Sequence, residues 1–399
     1  MYKKLLRYEK YFGAKNYNSI PVIINRGKDI HLYDINNNKY YDFLSSYSSV
    51  NQGHCHPKLV KTMQDQCNKL TLCSRAFQNE KLCLFYKYMN NTFGYDKVLP
   101  MNSGVEAGET AIKLARLWGY KKKNIENNSA KILFAKNNFW GRTIAAISSS
   151  TDPKSYNNFG PYLPGIECIE YNNIQVLKNK LKYDKNVCAF MVEPIQGEAG
   201  INIPSNDYLI EVKKLCEKYN ILLICDEIQT GLGRTGKFLE SESIKPDILL
   251  LGKALSGGMM PVSCVLADNE IMNIIEPGTH GSTYGGNPLG MSLVPVAVNI
   301  IFNENLIENS KKQGELLRNN IIDIKNNSYI KDVRGKGLLN AIEFYDPIIA
   351  NKFLDLMIKN KILTNITKDK IIRLSPPLTI SKNDINYCSE IINRIILKL

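Results

Sequence analysis

The chain has 399 residues, 44% of them hydrophobic and 22% charged, which excludes a disordered polymer and leaves room for two globular domains. Lysine and arginine outnumber the acidic residues 51 to 38, for a net charge of +13, yet the lysines are scattered; a nucleic-acid partner is therefore not expected, and the balance fits a mild attraction for anionic substrates. No apolar run reaches the roughly 18 to 20 residues of a membrane-spanning helix, so no membrane partner is expected.

In chain order, the first segment, "MYKKLLRYEKYFGAKNYN", is basic but has no apolar core and no Arg/Ser-rich extension, so a cytoplasmic location is expected. "GHCHP" (53–57) sets His54 and His56 around Cys55; no third ligand stands at a recognisable spacing, and a structural turn ahead of Pro57 is expected rather than a metal site. "MNSGVEAGETAIKLARLWGY" (101–120) places Glu106 three residues after Ser103, a capping box, and Ile112, Ala115 and Trp118 continue an apolar helical face. The start of such a helix offers free N–H groups and a positive dipole end to an anion, although the same pattern also describes an ordinary capped helix. The lysine run 121–123 follows it and reads as a solvated helix end.

"KILFAK" (131–136), "VCAFMVEPI" (187–195), "ILLICDEI" (221–228), "DILLLGK" (247–253) and "PVSCVLA" (261–267) are apolar throughout and alternate with helical stretches such as 207–220. Strands apolar on both faces imply an α/β fold with a largely parallel sheet covered by helices on both sides. Cys188, Cys225 and Cys264 lie inside these runs, and none of the ten cysteines forms a CxxC pair, as in a reduced intracellular protein. "GLGRTG" (231–236) matches the dinucleotide fingerprint, which would make the chain a nicotinamide-dependent dehydrogenase. That motif belongs in the tight turn between strand and helix; here "DEIQT" intervenes and "KFLESESIKPD" lacks an apolar helical face, so the reading is weak. From Asn287 a long helical stretch runs toward Lys325, and 333–344 and 371–380 then read as strands among amphipathic helices. The expected organisation is an N-terminal segment (1–45) packing with a smaller C-terminal α+β domain (289–399), around a large domain (46–288).

Ligands in open α/β sheets bind beyond the carboxyl ends of the strands. Those ends carry Glu193, Asp226 and Lys253. Taken singly, the carboxylates are ordinary turn or cap residues and the lysine a solvated one; three ionisable groups at one sheet edge point to a site. In "PDILLLGKALSGG" (246–258) the lysine follows a buried strand, where desolvation favours the neutral amine, a nucleophile able to form a Schiff base. Ala254, Ser256, Gly257 and Gly258 leave room for a planar aldehyde such as pyridoxal 5'-phosphate, and Asp226, one strand earlier, is placed to keep its ring nitrogen protonated.

"VEPIQGEAG", "CDEIQTGLGRTGKF", "LGKALSGG" and "HGSTYGGNP" occur in this order and resemble the class III pyridoxal-phosphate-dependent aminotransferases of fold type I. Further stretches, "YYDFLSSYSSVNQGHCHPK", "NNFWGRTIAAISSSTDP" and "RLSPPLTI", are similar to the ornithine-specific branch, so the resemblance covers nearly the whole chain. It implies a catalytic pair, Lys253 on the cofactor aldehyde and Asp226 on the ring nitrogen. It implies that Gln229 meets the phenolic oxygen, that Ile228 and Phe139 pack the ring faces with Trp140 and Glu193 nearby, and that Ser103, Gly104 and Val105 hold the phosphate. Ser282 and Thr283 are implied to reach the phosphate of a second subunit's cofactor, hence a homodimer. The implied substrates are ornithine, 2-oxoglutarate and glutamate. Tyr17 and Arg142 would hold the distal carboxylate of ornithine, while Arg373, paired with Glu198, would be freed for glutamate. Tyr47 would meet the α-amino group and separate this branch from the acetylornithine and 4-aminobutyrate transaminases; read without the resemblance, it is strand-edge packing.

Overall fold

Strands buried on both faces form the centre of the molecule. In the computed structural model, which describes residues 1–322 and 328–399, the apolar runs form strands buried along their whole length. Successive side chains go to opposite sides: Leu222 and Ile224 join the core beneath helix Gly104–Lys121, and Leu223 and Cys225 join the core beneath helices Ile174–Tyr183 and Tyr208–Lys218. The spatial order of this seven-stranded sheet is Lys97–Met101, Ser263–Ala267, Ile248–Leu251, Leu222–Asp226, Val187–Val192, Lys131–Ala135, Ile166–Ile169. Pairing is parallel except around Ser263–Ala267, which runs antiparallel to both neighbours. The link from Leu251 to Ser263 is too short for a crossover helix, so the chain turns back on itself.

Two smaller sheets flank this one. Ile24–Lys28, His31–Asp34 and Lys39–Asp42 form an antiparallel meander, completed in parallel by Ile362–Leu363 from the far end of the chain. Ile330–Lys336, Leu339–Phe344, Ile371–Leu374 and Ile366–Thr367 form the third, packed with helices Leu306–Ile322, Pro347–Lys359 and Lys382–Ile396.

Several expectations change. The helical stretch from Asn287 is two helices, Pro288–Asn303 and Leu306–Ile322, broken where Asn305 turns left-handed; its predicted end at Lys325 lies outside the described residues. The strand at 371–380 stops at Leu374, since Pro376 and Pro377 have no N–H to donate. In the lysine run Lys121 and Lys122 are exposed as expected, but Lys123 is not: its Nζ donates to the carbonyls of Val187 (2.7 Å) and Tyr219 (3.2 Å), and burial lowers its pKa. "GLGRTG" is a loop, not a strand-to-helix turn. It carries the fully buried Arg234, whose guanidinium donates to the carbonyls of Leu338 (2.9 Å) and Pro376 (2.7 Å) and to Asn51 Oδ1 (2.6 Å). In "GHCHP", His56 accepts from Lys58 N and caps helix Pro57–Cys67.

Candidate active site

Gly104, Val105, Phe139, Trp140, Glu193, Asp226, Ile228, Gln229 and Lys253 line one cavity of about 270 Å³ at the carboxyl edge of the parallel strands. Lys253 follows strand Ile248–Leu251 with φ 46°, a left-handed conformation that costs a non-glycine residue about 1–2 kcal/mol, and opens the short turn Lys253–Ser256. Burial lowers its pKa to about 8; Glu198 works against that and Arg373 with it. Ser256 and Gly258 line, with Lys253, Ser103 and Gly104, an adjoining cavity of about 440 Å³, but the two glycines after Ser256 are also fixed by packing. A Cβ on Gly257 would strike Leu59 and one on Gly258 would strike Val50, so packing and positive φ require them.

Two carboxylates share the cavity with unequal affinities for a proton. Burial raises Asp226 to about 6, against the hydrogen bond from Ile228 N (3.0 Å) and the nearby Lys253. Burial, and then Asp226 itself, raise Glu193 well above the usual carboxylate range, and its Oε1 accepts from Phe139 N at 2.9 Å. Asp226 is therefore the group that carries charge, and a cation beside it would hold that charge.

The capping box is formed. Glu106 N approaches Ser103 Oγ (3.4 Å), and Ser103 N donates to Glu106 Oε2 (2.6 Å). In the first turn, the N–H groups of Gly104 and Val105 have no intrahelical carbonyl to meet, and both residues line the cavity, so a helix start is available there to an anion. Gly104 lies against Ile228, where an added Cβ would be 2.9 Å from Cδ1. Gly141, which sequence reasoning missed, also lines the cavity; at φ 152° a Cβ there would run into Val105. A neutralisable amine, a buried carboxylate, apolar walls at Phe139 and Ile228 and free N–H groups together fit pyridoxal phosphate.

Phe139 also lines a neighbouring cavity of about 310 Å³ with Arg142, Glu198, Asp152, Lys154, Thr367, Lys368 and Asp369. Arg142 makes no ion pair among the described residues; its Nη1 donates to Ser155 Oγ (3.3 Å) and its guanidinium lies 5.5 Å from the Phe139 ring. Arg373, fully buried, instead donates to Glu198 Oε1 (2.7 Å) and Gln229 Oε1 (2.8 Å), and Gln229 Nε2 donates to the same Glu198 oxygen (3.1 Å). Burial works to raise the Glu198 pKa, but Arg373, Lys253 and the Gln229 amide prevail and lower it. Gln229 is thus tied to the ion pair, with one amide hydrogen left over.

Tyr47 is not on a strand edge. It sits in a left-handed turn, its ring 5.1 Å from the Arg373 guanidinium, and its hydroxyl accepts from Asn365 Nδ2 at 2.8 Å. Six predicted residues line neither of these two cavities: Ser103, which caps its helix, Tyr47 and Arg373, and also Tyr17, Ser282 and Thr283. Tyr17 is 77% exposed before strand Ile24–Lys28, Thr283 is exposed, and Ser282 Oγ accepts from Asn102 Nδ2 at 2.8 Å.

A mostly parallel sheet with a desolvated lysine and a buried carboxylate at its carboxyl edge defines a pyridoxal-phosphate-dependent transferase. The chain belongs to the class-III aminotransferase family, whose model it matches from residue 12 to 396. It is 51% identical over 393 residues to the mitochondrial ornithine aminotransferase of Drosophila melanogaster, covering 98% of this chain and 91% of that one. Its fold superposes on the crystal structure of the Toxoplasma gondii ornithine aminotransferase with a TM-score of 0.97, at 43% identity over 100% of this chain and 95% of the other. An acetylornithine aminotransferase from Elizabethkingia anophelis superposes at 0.91, with 44% identity over 100% of this chain and 99% of that one.

Proposed function

We propose that the chain moves the δ-amino group of L-ornithine to 2-oxoglutarate in two alternating half-reactions, yielding glutamate 5-semialdehyde and glutamate. Bound pyridoxal phosphate supplies an aldehyde that takes the amino group and a ring that accepts electrons as the adjacent C–H bond breaks. The chain's part is binding and proton handling. Lys253 Nζ, neutral above about pH 8, is the nucleophile that retains the cofactor and, once released, the base that carries the proton between carbons. Asp226 would supply the fixed negative charge that keeps the ring nitrogen protonated, and the N–H groups of Gly104 and Val105 would hold the phosphate.

The observation that carries this reading is the unequal state of two arginines. Arg142 is free for a carboxylate, whereas Arg373 is neutralised by Glu198. Ornithine places its α-carboxylate on Arg142 and leaves the Arg373 pair closed. Glutamate and 2-oxoglutarate need a second guanidinium, which Arg373 provides when Glu198 swings away. The identities to ornithine aminotransferases support this choice. The similarity to an acetylornithine aminotransferase keeps that substrate, and 4-aminobutyrate, as the second reading. Half-reactions of the holoenzyme with ornithine, N-acetylornithine and 4-aminobutyrate, followed in the visible spectrum, separate them; strong preference for an amine lacking the α-carboxylate overturns the assignment. A homodimer completed by Ser282 and Thr283 is proposed on the family's pattern, and light scattering tests it. Ten free thiols support the cytoplasm as its location.

A further inference from the structure

Strand Lys39–Asp42 ends in a carboxylate that is 3% exposed and fully occupied. One Asp42 oxygen accepts from Leu44 N (2.8 Å) and Ser45 N (2.9 Å), and the other stands 2.7 Å from His54 Nε2. The next residues, Ser45 to Ser48, have φ of 50°, 45°, 58° and 75°, a left-handed turn of four non-glycine residues. L-residues adopt such a run only where their surroundings over-determine it. Here Asp42 pins its start, and Ser45 Oγ donates to Ser375 O (2.7 Å). His54 is fixed in turn, since its backbone exchanges hydrogen bonds with Asp29 and its side chain packs where Gly27 leaves no room for a Cβ.

The turn aims Tyr47 at Arg373, and Asn365 fastens the far end: its Nδ2 donates to the Tyr47 hydroxyl and its carbonyl accepts from Arg373 N (3.1 Å). Asp42, His54 and Asn365 line neither active-site cavity. We propose that these three are positioning residues that set amine specificity by fixing Tyr47 from both ends. The inference rests on the ornithine reading above.

The test compares His54→Ala, His54→Gln and Asn365→Ala with Tyr47→Phe, measuring both half-reactions of the reconstituted enzyme and its thermal midpoint. Losing one hydrogen bond on Tyr47 or its turn should lower kcat/KM for ornithine about five- to tenfold, chiefly through KM, with the glutamate half-reaction within about twofold. His54→Gln, which keeps an N–H donor toward Asp42, should recover most of the loss. Equal losses in both half-reactions, or none in either while Tyr47→Phe shifts their ratio, overturn the positioning role alone. No ornithine half-reaction in the unaltered chain overturns the substrate reading and this one with it. If His54→Ala does not fold, Asn365→Ala decides, because it leaves the Asp42 end of the turn intact; the bond it also removes, from Ile366 N to Asn365 Oδ1 (2.8 Å), is read out by the thermal midpoint.

Discussion

Lys253 joins backbone strain to chemistry: a left-handed residue at a strand end holds an amine whose pKa burial has lowered from 10.5 to about 8. Only the neutral amine adds to an aldehyde, so pyridoxal phosphate should attach to the cofactor-free chain faster as pH rises to about 8 and level off above it; an ordinary lysine would keep gaining to about 10.5. Stopped-flow absorbance checks this, and Lys253→Ala should leave no borohydride-reducible label on the peptide. A rate still climbing at pH 10 would mean an amine that is not desolvated. The stability effect has the same sign: between about pH 8 and 10.5 the unfolded chain binds more protons, so this residue's contribution grows with pH and is lost as pH falls through 8. Lys253, Asp226 and Glu193 were legible because an ionisable residue closing an apolar run is visible in sequence. The turn around Tyr47 was not, because "SSYS" has no glycine to announce a positive φ. Gly141 was missed likewise, since its reason is a contact with Val105 that only the folded chain creates.

Among elements, interior strands were legible and edges were not. Lys97–Met101 contains Pro100, which a sheet admits only at its edge, and Ile166–Ile169 is interrupted by Glu167 and buries only Ile169, so it has no continuous apolar run. Helix Gly104–Lys121 was found from its capping box, but its seat was not. Gly108 lies against Trp140, where an added Cβ would come within 2.5 Å of Cε3. Trp140 cannot yield: its Nε1 donates to Ser149 Oγ (2.8 Å) and its ring stacks on Phe134 with centroids 5.8 Å apart. Gly108→Ala sets a helix-propensity gain of about 1 kcal/mol against an overpacking cost of about 1–3 kcal/mol. Overpacking should win by displacing the helix start that carries the Gly104 and Val105 N–H groups. The expected result is faster cofactor loss on dialysis and altered tryptophan fluorescence; a variant retaining cofactor as well as the parent would show that the helix start is not so constrained.

Across the whole molecule, the joins between distant segments leave no local trace in sequence. Nothing in "KYYD" foretells its pairing with Ile362–Leu363, and Arg234 in a glycine-rich loop gives no hint that it clasps the carbonyls of Leu338 and Pro376. The same kind of join spans the outer cavity. Lys154 pairs with Asp369 at 3.1 Å and Lys368 with Asp152 at 3.1 Å, crossing between the loop before and within helix Pro153–Tyr156 and the turn after Ile366–Thr367. With Arg142 and Glu198, the lining holds three cations and three carboxylates, a neutral mouth on a chain of net charge +13. Changing Asp152 and Asp369 to Asn together tests what that neutrality does. Asn keeps the cap that Asp152 gives Lys154 N, and exposed pairs are worth about 0–1 kcal/mol each, so losing both should change stability by less than about 2 kcal/mol. The field should change more. Two unit charges about 8 Å apart in water interact by about 0.5 kcal/mol, so two uncovered cations should lower the KM for dianionic 2-oxoglutarate roughly threefold to tenfold at low ionic strength. Ornithine, with a net positive charge, should move the opposite way, by about two- to threefold. Both shifts should fade by about 1 M salt, where the screening length is about 3 Å. KM values moving in the same direction for both substrates, and persisting in salt, would instead mean that the pairs hold the cavity walls together rather than balance its charge.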